Sequence, residues 1–361
     1  MATRTILLTG FPGFIGARLI PRLLDADPQA EIVALVEPRM VARAEAMAAD
    51  IGRGARLRIV PGDITRPRLG LDEATYRALA ADTVAVHHLA AVYDLAVPLP
   101  IAESVNVEGT QNVVDFCRDC ARLERHNYVS TAYVAGLRRG RVAESDLAAG
   151  QAFKNHYEST KFAAEVLVRA SMDDVPTTIY RPAIVVGDSR TGETQKFDGP
   201  YFLLRTIAAA VRRGLPPAQP GHMRAPFNVV PVDFVIDAIV TGAGDAAFAG
   251  ETLHLVDPEP ISAADLYGLL CREYAGVSPR LRLPWSLVDA SLRVAWMRRL
   301  LGGTPRESLE YLHHEVRYDA SRATALLGRH GVRCPPTAAY VGPMVRFFRE
   351  HEDDPAYAPA R

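Results

Sequence analysis

The chain has 361 residues, 48% of them hydrophobic, and its charges nearly cancel, with 41 Lys and Arg against 42 Asp and Glu. That content suits a soluble globular protein with a large core, and the balance excludes a long-range field that would draw it to nucleic acid or an anionic membrane surface. No apolar stretch approaches the roughly 20 residues of a spanning helix, and four residues before the first apolar run leave no room for a secretory leader, so a cytoplasmic protein acting on a small molecule is expected.

"TILLT" at 5–9 reads as a buried strand, followed by "GFPGFIG" at 10–16 and a helical pattern over 14–25. "EIVALV" (31–36) is a second strand before a helix over 39–50, "RLRIV" (56–60) a third, and "TVAVHHLA" (83–90) a fourth. A helical pattern over 101–123 leads to "HNYVS" (126–130), a helix over 154–172 and the long run "TTIYRPAIVV" (177–186). This alternation predicts an α/β fold, a doubly wound parallel sheet of the Rossmann type over 1–187, with the chain returning to it near 227–243. After Gly187 the texture turns loop-rich and proline-rich, which predicts a smaller C-terminal substrate-binding portion over 188–350 and a solvated tail over 351–361.

Three features read as structural. Cys117 and Cys120 are spaced C-x-x-C but lack a second Cys or His pair, so they are expected to be packed thiols. His87–His88 and His313–His314 likewise read as packing residues. The amphipathic segment 286–303 reads as a lid or substrate-domain helix rather than a membrane-surface element.

Gly10, Gly13 and Gly16 lie between an apolar strand and an apolar-periodic helix. Glycine there permits a tight turn, close approach of a pyrophosphate to backbone N–H groups at a helix N-terminus, and close packing of helix on strand. At the end of the second strand the charges point both ways. Glu37 stands where a carboxylate bonds the adenosine ribose hydroxyls of NAD, whereas Arg39 and Arg43 suit the 2′-phosphate of NADP. Further along, Tyr157 and Lys161 stand at i and i+4, on one face of a helix about a turn apart. An ammonium beside a phenol favours the phenolate and so suits acid–base work near neutral pH, although Y-x-x-x-K alone also occurs as an ordinary exposed helix pair.

The G-x-x-G-x-x-G spacing in "TGFPGFIG" resembles the opening of the extended short-chain dehydrogenase/reductases, and the likeness covers roughly the first 240 residues. "GDIT" (62–65), "HHLAAVYD" (87–94), "NVEGTQNVVD" (106–115), "YVSTAYVAG" (128–136) and "YESTK" (157–161) carry it onward. The resemblance implies a catalytic set of Thr131, Tyr157 and Lys161, with Thr131 rather than Ser130 giving the second hydrogen bond to the substrate oxygen. It also implies nicotinamide-dinucleotide contacts from Gly10, Phe11, Gly13, Phe14, Ile15, Gly16, Glu37, Arg39, Asp63, Ile64, Leu89, Ala90 and Ala91. Asn106, Tyr157, Lys161, Pro182, Ala183, Ile184 and Val185 complete that set, and Asn106 helps order the active-site helix. No metal is implied.

"YRPAIVVGDSRTGETQKFDGPY" (180–201) and "FNVVPVDFVIDAIV" (227–240) are most similar to the thioester reductase and fatty acyl-CoA reductase branch. That likeness implies reduction of a hydrophobic acyl thioester, on CoA or a carrier protein, to an aldehyde and onward to an alcohol. Other branches reduce sterol-like or flavonoid-like ketones, or epimerise or dehydrate nucleotide sugars. A non-enzymatic dinucleotide sensor is the reading from another class, but such proteins typically lose the tyrosine or lysine that this chain retains. The branch usually uses NADPH and carries Arg where this chain has Glu37, so NADPH is the expected cofactor and NADH the alternative.

Overall fold

Both faces of the first strand are covered by helices, which is why Ile6, Leu7 and Leu8 follow one another without a polar residue. That strand, β1 (Arg4–Thr9), lies inside a seven-stranded parallel sheet in a computed structural model that describes residues 4–93, 97–294 and 306–358. It is followed by α1 (Phe14–Ala26), β2 (Ala30–Val36), α2 (Val41–Ile51), β3 (Leu57–Pro61), α3 (Glu73–Asp82) and β4 (Thr83–His88). Next come α4 (Gly109–Asp119), β5 (Arg125–Val129), α5 (His156–Ala170), β6 (Thr177–Pro182), α6 (Tyr201–Val211), α7 (Val232–Gly244) and β7 (Thr252–Leu255). Among the described residues, α8 (Ala263–Ala275), α9 (Trp285–Arg293), α10 (Ser321–Gly328) and α11 (Thr337–His351) follow.

The strand order is β7-β6-β5-β4-β1-β2-β3. Leu7 pairs with Val33 of β2 on one side and with Val86 of β4 on the other, so the order reverses across β1. A reversal of this kind opens a crevice beyond the carboxyl ends of the strands, where such sheets bind ligands.

Several elements depart from the sequence pattern. α3 follows a run with no strong apolar period, and its signal is the cap, Asp72, whose carboxylate accepts from Thr75 N–H at 3.0 Å. The pattern over 101–123 divides into a short helix at Leu99–Ala102, a π-helical turn at Glu103–Glu108, and α4, which stops at Asp119. The run 177–186 also divides, because Ile184–Val186 leaves the main sheet after Ala183 and pairs with Val229–Pro231.

Of the four apolar clusters among the described residues, two hold the C-terminal portion in place. One, on the sheet, includes Leu8, Leu19, Ile236 and Leu255, and α10 joins it through Leu326 and Leu327. The chain therefore returns to the sheet layer beyond 227–243, through β7 and again at α10. The other core gathers α6, α8 and α11 around Tyr201, Leu266, Tyr340 and Phe348. Most of the described tail is exposed, but Tyr357 docks: it stacks on Phe197 at 5.1 Å, and its carbonyl accepts from Phe197 N–H. Of the amphipathic segment 286–303, the part from 295 lies outside the described residues, as do 359–361. No described helix is long and apolar enough to cross a membrane.

Candidate active site

Because every sheet strand runs the same way, the residues that follow β1 to β6 fall along one edge. Gly10 turns the chain there with φ +93°, and a Cβ on it would sit 2.9 Å from Ala90 N and Leu89 C in the loop after β4. Cβ atoms on Gly13 and Gly16 would each lie 2.7 Å from the Gly10 carbonyl oxygen. The glycines are thus required by backbone packed on backbone. Gly13 caps α1 without a side-chain bond and no acidic residue stands in the first turn, so the N–H groups of Phe14, Ile15 and Gly16 suit a pyrophosphate. Phe11 is buried beside them.

Glu37 and Arg39, at the end of β2, form an ion pair with each other at the surface. Asp63 is engaged locally, its Oδ1 accepting from Thr65 N (2.9 Å) and Oγ1 (2.7 Å). Ile64 packs on Gly109, and its carbonyl accepts from Asn112 Nδ2 at 2.7 Å. Leu89, Ala90 and Ala91 continue from β4, with Ala90 N–H donating to Thr9 Oγ1. Pro182, Ala183, Ile184 and Val185 continue from β6, and the Pro182 carbonyl accepts from Thr131.

α5 begins at Asn155, whose Oδ1 accepts from Glu158 N–H at 3.0 Å, and this cap presents Tyr157 in the first turn and Lys161 in the next. The Tyr157 ring packs edge-on against Tyr93 at 5.0 Å. Thr131 caps the turn Ala132–Ala135, and its hydroxyl, which donates to the Pro182 carbonyl, lies beside the Tyr157 phenol. Burial pushes the Tyr157 phenol well above its ordinary value, and the neighbouring Thr131 hydroxyl offsets only part of that shift. The phenol is therefore held protonated at neutral pH.

Lys161 points elsewhere. Its Nζ donates to Tyr128 Oη (2.9 Å) and to the Val129 carbonyl (2.8 Å), and burial lowers it to about 7 against the raising influence of Glu165. Asn106, in the π-helical turn, accepts from Val92 N–H at 2.9 Å and donates to Thr160 Oγ1 at 3.0 Å, so it ties the loop after β4 to α5.

Several supporting residues escaped the sequence reading. Ser130 donates to Glu165 Oε2 at 2.6 Å, and Glu165 receives Arg181, both side chains being wholly buried. A charged Arg181 inside the apolar run 177–186, and Glu165 one turn beyond Lys161, were the available signals. Asp198, which burial pushes up to about 6, acts electrostatically on Tyr93. The motifs "GDS" and "VPVD" meet each other: Ser189 donates through N (2.8 Å) and Oγ (2.6 Å) to Asp233. Cys117 and Cys120 are buried thiols that burial pushes up, Cys120 to about 12. His87 is buried beside Asn127, and His314 bonds the Arg138 carbonyl.

Residues 8–239, more than half of the chain, match the family described as male sterility protein, an NAD-binding family. The chain belongs to that family. Among curated proteins, the chain is 29% identical over 284 residues to the glycine betaine reductase ATRR of Emericella nidulans, a match covering 73% of this chain and 22% of that protein. It is 26% identical over 284 residues to the fatty acyl-CoA reductase wat of Drosophila melanogaster, covering 67% of this chain and 54% of that one. The chain thus spans about half or less of these curated relatives. Among solved structures, the terminal R domain of the myxalamid PKS-NRPS pathway superposes with a TM-score of 0.83 at 27% identity, covering 99% of this chain and 93% of that one. A UDP-glucuronic acid 4-epimerase of Bacillus cereus shares the fold, with a TM-score of 0.67 at 20% identity, 98% of this chain and 99% of that one.

Proposed function

We propose that this member of the male sterility family reduces a hydrophobic acyl thioester, carried on CoA or a carrier protein, to an aldehyde. The observation that carries the reading is the meeting of the Thr131 and Tyr157 hydroxyls on the edge of the sheet that also holds the glycine loop. Similarity to a reductase domain along almost the whole chain supports it.

In this reading the dinucleotide lies along Gly10–Gly16 and, when bound, supplies a hydride to the thioester carbonyl carbon. Thr131 and Tyr157 donate hydrogen bonds to the carbonyl oxygen and stabilise the negative charge that develops there. Tyr157, protonated beforehand by its burial, gives its proton to that oxygen. The resulting hemithioacetal expels the thiol and leaves the aldehyde, and a second round at the same hydroxyls gives the alcohol. Lys161 stands one helical turn beyond the tyrosine, where it would supply positive charge and hold the ribose of the bound dinucleotide. The chain after residue 187 would supply the wall of the acyl site.

NADPH is the cofactor this reading favours. Arg39 lies against Glu37 and offsets the carboxylate charge that would repel a 2′-phosphate.

Medium- and long-chain acyl-CoA thioesters, long-chain aldehydes, hydrophobic ketones and nucleotide sugars, offered side by side, test the proposal. Cofactor oxidation matched by release of free thiol is expected with the thioesters. Turnover of ketones or sugars with no thiol released from any thioester overturns it.

A further inference from the structure

A column of polar side chains crosses the core beneath the candidate site, linking strands and helices that are distant in the sequence. Thr9, His88, Thr110, Tyr128 and Lys161 form it, and all are buried. Ala90 N–H donates to Thr9 Oγ1 at 3.2 Å, which leaves the Thr9 hydroxyl proton for His88 Nδ1 at 2.7 Å. His88 Nε2 then carries the imidazole proton and donates to Thr110 Oγ1 at 3.0 Å, while Thr110 donates to the Asn106 carbonyl at 2.6 Å. Tyr128 joins the column through its ring, which stacks on His88 at 5.6 Å. Its oxygen accepts from Lys161 Nζ at 2.9 Å, and the ammonium lies 4.4 Å from the ring centre.

This order of donors requires a neutral imidazole. Burial holds His88 well below its ordinary value, in keeping with that state.

We propose that Tyr128 is a positioning residue, its ring held against His88 so that its hydroxyl holds the Lys161 ammonium at the end of β5. The inference rests on the reading of Tyr157 and Lys161 as the reacting pair. The titratable groups around Lys161 are Tyr128 from β5, His88 from β4, and Tyr157 and Glu165 from its own helix. His88 is neutral, and Glu165 is paired with Arg181. Burial works against the ammonium and Glu165 favours it, while Tyr128 and the Val129 carbonyl are the acceptors its N–H groups reach. A neutral Lys161 gives no charge stabilisation to the phenolate left when Tyr157 surrenders its proton.

Tyr128→Phe keeps the ring and removes the acceptor. In thioester reduction the alkaline limb of the kcat/KM profile is expected to move down by about one pH unit, the size of one hydrogen bond lost to a charged group, with activity recovering on the acid side. A merely structural loss lowers activity equally at every pH, and that result overturns the proposal. The chain contains three lysines, Lys154, Lys161 and Lys196, so ¹³Cε-lysine NMR reads the Lys161 titration directly, without substrate. A Lys161 midpoint unchanged in Tyr128→Phe likewise overturns the proposal. If Tyr157→Phe retains full activity, the proposed function fails, while the NMR midpoint still decides the hold of Tyr128 on Lys161.

Discussion

The glycine loop and the start of α5 meet at the same edge of the sheet, but different forces set their geometry. Around Gly10–Gly16 the close contacts are backbone on backbone, within seven residues and with the neighbouring turn at Leu89–Ala90. Around Tyr157 and Lys161 they are side-chain hydrogen bonds and ion pairs among β4, β5, α5 and β6, joining residues tens of positions apart. The loop therefore accepts varied side chains but no added Cβ at three positions. The helix region depends on where charge is buried and what neutralises it.

The largest expected effect tests the helix side. Glu165→Gln removes the carboxylate that receives the wholly buried Arg181, and chemical denaturation at neutral pH should show a loss of about 3–5 kcal/mol. A loss comparable to that of an exposed ion pair, at most about 1 kcal/mol, would mean that this network does not fix the region. The pH dependence has a definite sign. Burial raises the Glu165 carboxyl, but Arg181, Ser130 and Arg169 outweigh it, so the folded value lies below the ordinary 4.5. Its stabilisation is thus present above that ordinary value and lost as pH falls through the lower folded one. Wild type should lose stability towards acid more steeply than Glu165→Gln.

Next comes Tyr157→Phe, expected to lower turnover by about 10²-fold or more with dinucleotide affinity largely kept. Near-normal kcat would remove Tyr157 from the chemistry. On the loop side, Arg39→Ala should weaken NADPH relative to NADH by about 1.5–3 kcal/mol in titrations of both cofactors. Equal losses would leave Glu37 as the residue that decides. Gly13→Ala places a Cβ 2.7 Å from the Gly10 oxygen, and a cost of about 1–3 kcal/mol in stability is expected together with weaker binding of either dinucleotide. Unchanged binding there would break the contrast between the two regions, since the loop would then tolerate what its backbone packing forbids.

The motifs that narrowed the family branch, "GDS" and "VPVD", were legible, but the sequence did not reveal how they are used. Ser189 and Asp233 bond each other and clamp the chain leaving Ile184–Val186 to the start of α7. Their contribution here is architectural, and substrate choice has to be sought in the walls of the cleft. The division of 177–186 was hidden for a related reason: both halves are apolar and extended, and it is the pairing of the second with Val229–Pro231 that separates them.

What the sequence determined by itself is what depends on a few neighbouring residues: the buried parallel strands, the glycine turn into α1, and Tyr157 and Lys161 one helical turn apart. Backbone geometry sets these within a span of about ten positions. The tertiary structure alone decided that Thr131 meets Tyr157 while Ser130 turns to Glu165, and that Lys161 rests on Tyr128. A side chain's partner and desolvation are set by whatever else packs around it, and here those groups arrive from segments 26 or more residues away.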